Sequence, residues 1–196
     1  MEENGPLTKQ HILDDYYKAS EQDPQTHVQG VIYIETDRRL QDPNGQEIDQ
    51  WAAQPIKEIE FLRSIVEGQY GSRDSKTLLG LVPWAPVHQG QDVFEEWLAL
   101  AEKTAGDATW QRIKGFRFLV QGITDKKEFE DLVFSDAFLA ILRSFNAQGR
   151  QYCFDVGIDQ HSGGVWQLED FTKVLEKLYD GVAEDQRVTL IMSKSD

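Results

Sequence analysis

Short apolar runs alternate with longer amphipathic stretches along the chain. The runs lie at residues 28–35 (VQGVIYIE), 78–87 (LLGLVPWAPV), 113–121 (IKGFRFLVQ), 152–159 (YCFDVGID) and 188–192 (VTLIM). Their length and their β-branched and aromatic content predict five strands. Between them, apolar residues recur three and four apart, the helical period. Trp51, Ile56, Ile59, Leu62, Ile65 and Val66 mark a helix over 48–68, with Gly68 as its stop. Val93, Phe94, Trp97, Leu98 and Ala101 mark a second helix. Phe134, Phe138, Ile141, Leu142 and Phe145 mark a third, ended by Gly149. Val165, Leu168, Phe171, Leu175, Leu178 and Val182 mark a fourth. A further helix is expected over 9–19, and residues 37–46 and 69–76 read as exposed polar loops. Strand and helix alternate, which predicts parallel strands joined by crossover helices.

Five such strands fit a doubly wound open sheet or part of a (β/α)₈ barrel. Side chains alternate across a strand, so each run has two distinguishable faces. In the fourth run Tyr152, Phe154, Val156 and Ile158 share one face. Cys153, Asp155, Gly157 and Asp159 share the other, with His161 just beyond. In the third run Phe116, Phe118 and Val120 oppose Gly115, Arg117 and Leu119, and in the first Tyr33, Glu35 and Asp37 fall together. An open sheet covered by helices on both sides asks for two apolar faces. One apolar face and one face of small and charged residues suits a barrel, whose polar groups gather at the C-terminal mouth. The expected architecture is a single α/β domain over 1–196: a partial (β/α)₈ barrel of about five parallel strands with alternating helices.

Composition narrows the function classes. The chain has 196 residues, enough for one domain with a sizeable core. It carries 34 acidic and 20 basic side chains, a net charge of −14. Binding to nucleic acid or to an anionic membrane surface needs clustered Lys and Arg, so neither is expected. The sequence has no apolar run long enough to span a bilayer, and residues 1–8 lack the apolar core of a signal peptide. The lone Cys153 permits neither an internal disulfide nor a cysteine zinc site, and suits a reduced, cytoplasmic setting.

Four segments together resemble the amidohydrolase-related family (amidohydrolase family 2) in its lactonase-like branch: GVIYIETD (30–37), LLGLVPWAPV (78–87), IKGFRFLVQG (113–122) and YCFDVGIDQHSGGVWQLED (152–170). Their order and spacing follow the family from about residue 10 to residue 192. The resemblance implies a distorted (β/α)₈ barrel and a hydrolase that opens a sugar-acid or dicarboxylate lactone. It also implies what is missing. The family's first strand carries a His-x-His pair, and this sequence has none. A later family strand ends in His, where 188–196 reads VTLIMSKSD, and the chain stops before the family's final Asp-bearing strand. The expectation is therefore a chain truncated at both ends and inactive by itself, the alternative being a non-catalytic binding or assembly module. No cofactor is expected here, although a divalent metal such as zinc is possible in intact relatives.

Within that resemblance Arg117 matches the family's strand-four arginine, which can hold a substrate carboxylate bidentately. An internal ion pair with Asp155 on the neighbouring strand is the equal alternative. His161 and Asp159 are the candidate catalytic groups, and with Asp155 they could supply metal ligands or acid–base chemistry. One His and two carboxylates make a sparse metal set, so polar lining of the mouth is favoured and no metal site is expected. Glu35 and Trp84 are further candidates for substrate contact. For Glu35 a solvated position, and for Trp84 a packing role, carry more weight. His11, His27 and His88 lack ligand spacing and read as surface residues. Ser162-Gly163-Gly164 offers only a weak anion cradle. A small carboxylate or lactone is the expected ligand, and self-association is expected through the two open sheet edges.

Overall fold

The computed structural model describes residues 13–20, 28–36, 43–147, 149–158 and 164–193. Five parallel strands form, one in each expected run: β1 (Val31–Ile34), β2 (Leu78–Val82), β3 (Gly115–Phe118), β4 (Cys153–Gly157) and β5 (Thr189–Ser193). β1 pairs with β2, and β3, β4 and β5 pair in that order. Two isolated parallel bridges, Leu81 to Ile113 and Trp84 to Arg117, link β2 to β3. The spatial order of the strands thus follows their order in sequence. The architecture is α/β, with parallel strands in two small sheets and eight α-helices among the described residues.

The helices are α1 (Leu13–Ser20), α2 (Ile48–Trp51), α3 (Ala53–Val66), α4 (Ser72–Thr77), α5 (Gln91–Trp110), α6 (Lys126–Val133), α7 (Asp136–Ser144) and α8 (Val165–Tyr179). Three differ from expectation for local reasons. The single helix over 48–68 divides at Ala52 (φ −92°, ψ 15°), three residues before Pro55. Proline lacks a backbone donor and disfavours helical geometry just before it, so it sits in the first turn of α3 rather than mid-helix. The expected polar loop at 69–76 contains α4, opened by Gly71 (φ 124°). The third expected helix forms as α7, and α6 precedes it where no helix was expected: Asp125 caps α6 by accepting from the Glu128 N–H, and Ser135 caps α7 by accepting from the Phe138 N–H. Gly68 and Gly149 both take positive φ, as helix stops do. Part of the expected loop at 37–46 and of the expected helix over 9–19 lie outside the described residues.

One face of the strands meets the helices. Phe116 packs edge-on against Trp97 and Phe94 of α5, and Phe154 against Phe138 of α7. Tyr33 donates to Glu58 of α3, so it turns to the helices and not to the polar face. This side is the dry core, joined by Leu81, Ile113, Ile141 and Val174. The other face carries Gly30, Ile32, Leu79, Gly80, Gly115, Cys153 and Gly157. Leu79 is there because the β1–β2 register slips by one residue between Val31 and Ile32. Ile32 and Leu79 are 62% and 55% exposed. Polar ties fix the helical layer. Arg150 holds Glu95 of α5 through two hydrogen bonds of 2.9 and 2.7 Å. Asp170 of α8 is bridged by Lys126 of α6 and by Lys173. No described helix is long and apolar enough to cross a membrane.

Candidate functional site

Parallel strands place their C-terminal ends together, and the polar groups gather there. β3 and β4 run in register with Arg117 opposite Asp155. Side chains paired across a parallel ladder project to the same face, so the two meet on the side away from the helices. Arg117 Nε lies 3.3 Å from Asp155 Oδ1. Asp155 is fully buried. A carboxylate removed from water needs a cation to offset its lost hydration, and Arg117 supplies one. The ion pair weighed in the sequence therefore forms. Arg117 reaches across two strands as well: its Nη1 donates to the Glu35 carbonyl at 2.7 Å. Its backbone N–H donates to Pro83 and its carbonyl accepts from Ala85. One residue thus ties the ends of β1, β2, β3 and β4.

Glu35 follows β1, and its N–H donates to the Val82 carbonyl at 3.0 Å, which carries the β1–β2 ladder one residue past the strand. It is only 2% exposed. The expectation of a solvated charge at Glu35 does not hold. Trp84 is buried in an edge-to-face cluster with Trp51 and Trp97, ring centroids 6.0 and 5.8 Å away. Its indole is thus spent on packing.

His88 is the residue the sequence analysis passed over. It lies in the β2–α5 connection, half-buried rather than on the surface. Its ring stacks on Phe118 at 4.4 Å and meets Trp84 edge-on at 6.3 Å. The available signal was its position just past the 78–87 run, at the strand end where mouth residues fall; spacing to other histidines could not show it. Asp159 and His161, together with Ser162 and Gly163, lie outside the described residues. β4 ends at Gly157, and Gln167 in the first turn of α8 is fully buried and donates to the Ile123 carbonyl at 2.9 Å.

A divalent metal such as zinc would need three or four converging donors. Among the described residues no three His, Cys, Asp or Glu side chains converge in that way. Asp155 is already committed to Arg117. The described donors do not fit such an ion. At the strand ends lie a guanidinium paired with a buried carboxylate, the buried Glu35 and, in the β2–α5 connection, an imidazole stacked on Phe118.

No family model matches the chain, and no solved structure matches it. A curated relative does: L-rhamnono-gamma-lactonase of the yeast Scheffersomyces stipitis is 30% identical over 185 residues. The match covers 90% of this chain and 51% of the relative, so the chain spans about half the length of the curated relative it matches.

Proposed function

We propose that this chain has the lactonase type of hydrolase fold and binds a sugar lactone, or the hydroxy acid it opens to, at the C-terminal ends of β1–β4. The observation that carries this reading is the 30% identity to a lactonase over nine-tenths of the chain. Strand order agrees with it. Parallel strands that follow one another without reversal, with helices against one face, are the arrangement of a (β/α)₈ barrel rather than of a doubly wound sheet. We read the chain as five of those strands, in the amidohydrolase-related manner.

Lactone opening adds the oxygen of water to the acyl carbon, breaks the ring C–O bond and leaves a proton on the released alkoxide. The step needs a base for the water and a group that polarises the carbonyl. In this reading Arg117 holds a ligand carboxylate or ring oxygen. Its Nε faces Asp155, which fixes the guanidinium plane. Asp159 and His161 are the candidates for proton transfer. The sequence has no His-x-His pair to polarise the carbonyl. We therefore assign the binding part of the chemistry to this chain and expect no turnover by the chain alone.

Hydrolysis of a panel of sugar-acid and aromatic lactones, with Zn²⁺ or Mn²⁺ added, tests the second part. Background rates are expected, and turnover near ~1 s⁻¹, an ordinary enzymatic value, would refute it. Calorimetry with the same lactones and their hydroxy acids tests the first part. Binding that weakens in Arg117→Lys is expected, because lysine keeps the charge but loses the planar fork. Absence of binding to every member leaves the alternative, an assembly module.

A further inference from the structure

Each outer strand of the sheet has one backbone edge that no described strand covers. Among the described residues β1 pairs only with β2, and β5 only with β4. An uncovered row of N–H and C=O groups is a template for another strand. Beside β1 the edge opens into an apolar groove of about 790 Å³ between α1, β1 and α3, walled by Tyr16, Ile32, Phe61, Ile65 and Tyr70. α1 forms one wall of the groove. Tyr17 is its one buried side chain, and it is tied by hydrogen bonds to Asp74 and Thr77 of α4 and by Arg73 over its ring.

We propose that the groove and the β1 edge receive β5 of a second copy of this chain, and that the exchange is mutual. The two edges suit each other. All the strands are parallel, so a two-fold axis along the strand direction brings β5 of each copy beside β1 of the other in the same parallel sense. Both edges of both copies are then covered at once, and the interface closes as a dimer. Charge agrees with this register. Asp15 and Asp74 lie on the groove, Asp74 in the helix that leads into β2. Arg187, exposed, lies just before β5. Parallel pairing sets the starts of the two strands together, so the Arg187 cation approaches the carboxylates. The exposed Ile32 and Leu79 would turn into the enclosed lumen.

Sedimentation velocity over a concentration series in moderate salt reads the outcome. A single species of twice the 22.5-kDa chain mass is expected at high concentration. Ile32→Lys places a charge in the closed interior and should raise the dimer dissociation constant at least about tenfold. Arg187→Glu should weaken the dimer, and Asp15→Lys combined with Arg187→Glu should restore it. Both positions are exposed, and circular dichroism of each variant checks that the fold is kept. A monomer at every concentration overturns the proposal. So does open-ended growth into longer polymers, or a dimer indifferent to Ile32→Lys and to the charge reversals.

Discussion

Arg117 touches Asp155, the Glu35 carbonyl and the backbone on both sides of Trp84. Its removal takes from the fully buried Asp155 the cation opposite it. Arg117→Met should therefore cost about 3–5 kcal/mol of stability. Exchanging both partners, Arg117→Met with Asp155→Leu, should recover most of it, since an apolar pair avoids the desolvation penalty. Urea denaturation of the single and double variants gives the comparison. An equal loss in both would show that the pair itself is not what the site depends on. The sequence made this contact legible, because Arg117 and Asp155 sit at matching places in adjacent runs. It did not make His88 legible. Stacking on Phe118 depends on how the β2–α5 connection folds back over β3, and periodicity carries no such information.

At the scale of elements, helix caps decided what the apolar pattern left ambiguous. The period from Phe134 to Phe145 was readable, but α6 before it was not, since its buried residues are only Phe129 and Val133. The informative residues were Asp125 and Ser135, each placed to accept a first-turn N–H. Asp125→Ala and Ser135→Ala should each cost about 1 kcal/mol, measured as a shift in the denaturation midpoint at unchanged slope. The ties between helices predict a response to acid. Hydrogen bonds from Arg150 hold the Glu95 carboxyl below its ordinary range, against burial that pushes it up. Burial pushes Asp170 up, but hydrogen bonds from Lys173 and Lys126 more than reverse it. A depressed folded pKa means that the unfolded chain takes up protons first as pH falls. The stabilisation is thus complete above the ordinary carboxylate range near about 4, and is lost as pH falls through it towards the lower folded values. Melting temperatures measured from neutral pH to pH 3 should fall mainly at the acid end, and less steeply in Glu95→Gln, which has lost its share already.

For the whole molecule, strand number and the parallel sense followed from alternation in the sequence, as each run was long enough to show its period. The closure of the sheet was not legible. Nothing local distinguishes an edge that pairs within the chain from one that pairs outside it. Pairing outside the chain has a measurable side. The net charge of −14 opposes the approach of two copies, so association should strengthen as salt rises from low to moderate concentration and screens the repulsion. Light scattering at two ionic strengths would show it. Association that weakens with salt would mean that the attraction of Arg187 for the groove carboxylates outweighs the overall repulsion.

Gly115 lies so close to β4 that a Cβ there would run into the Cys153 carbonyl and sulfur. The chain's only thiol is therefore wedged into the β3–β4 seam, and burial pushes its pKa up. Thiol-specific reagents attack the thiolate, which this position both suppresses and shields. Labelling of Cys153 then becomes a clock for local opening of the sheet. In the native protein it should run well below the rate of a small free thiol at the same pH, and quicken once denaturant begins to part β3 from β4, without an engineered probe.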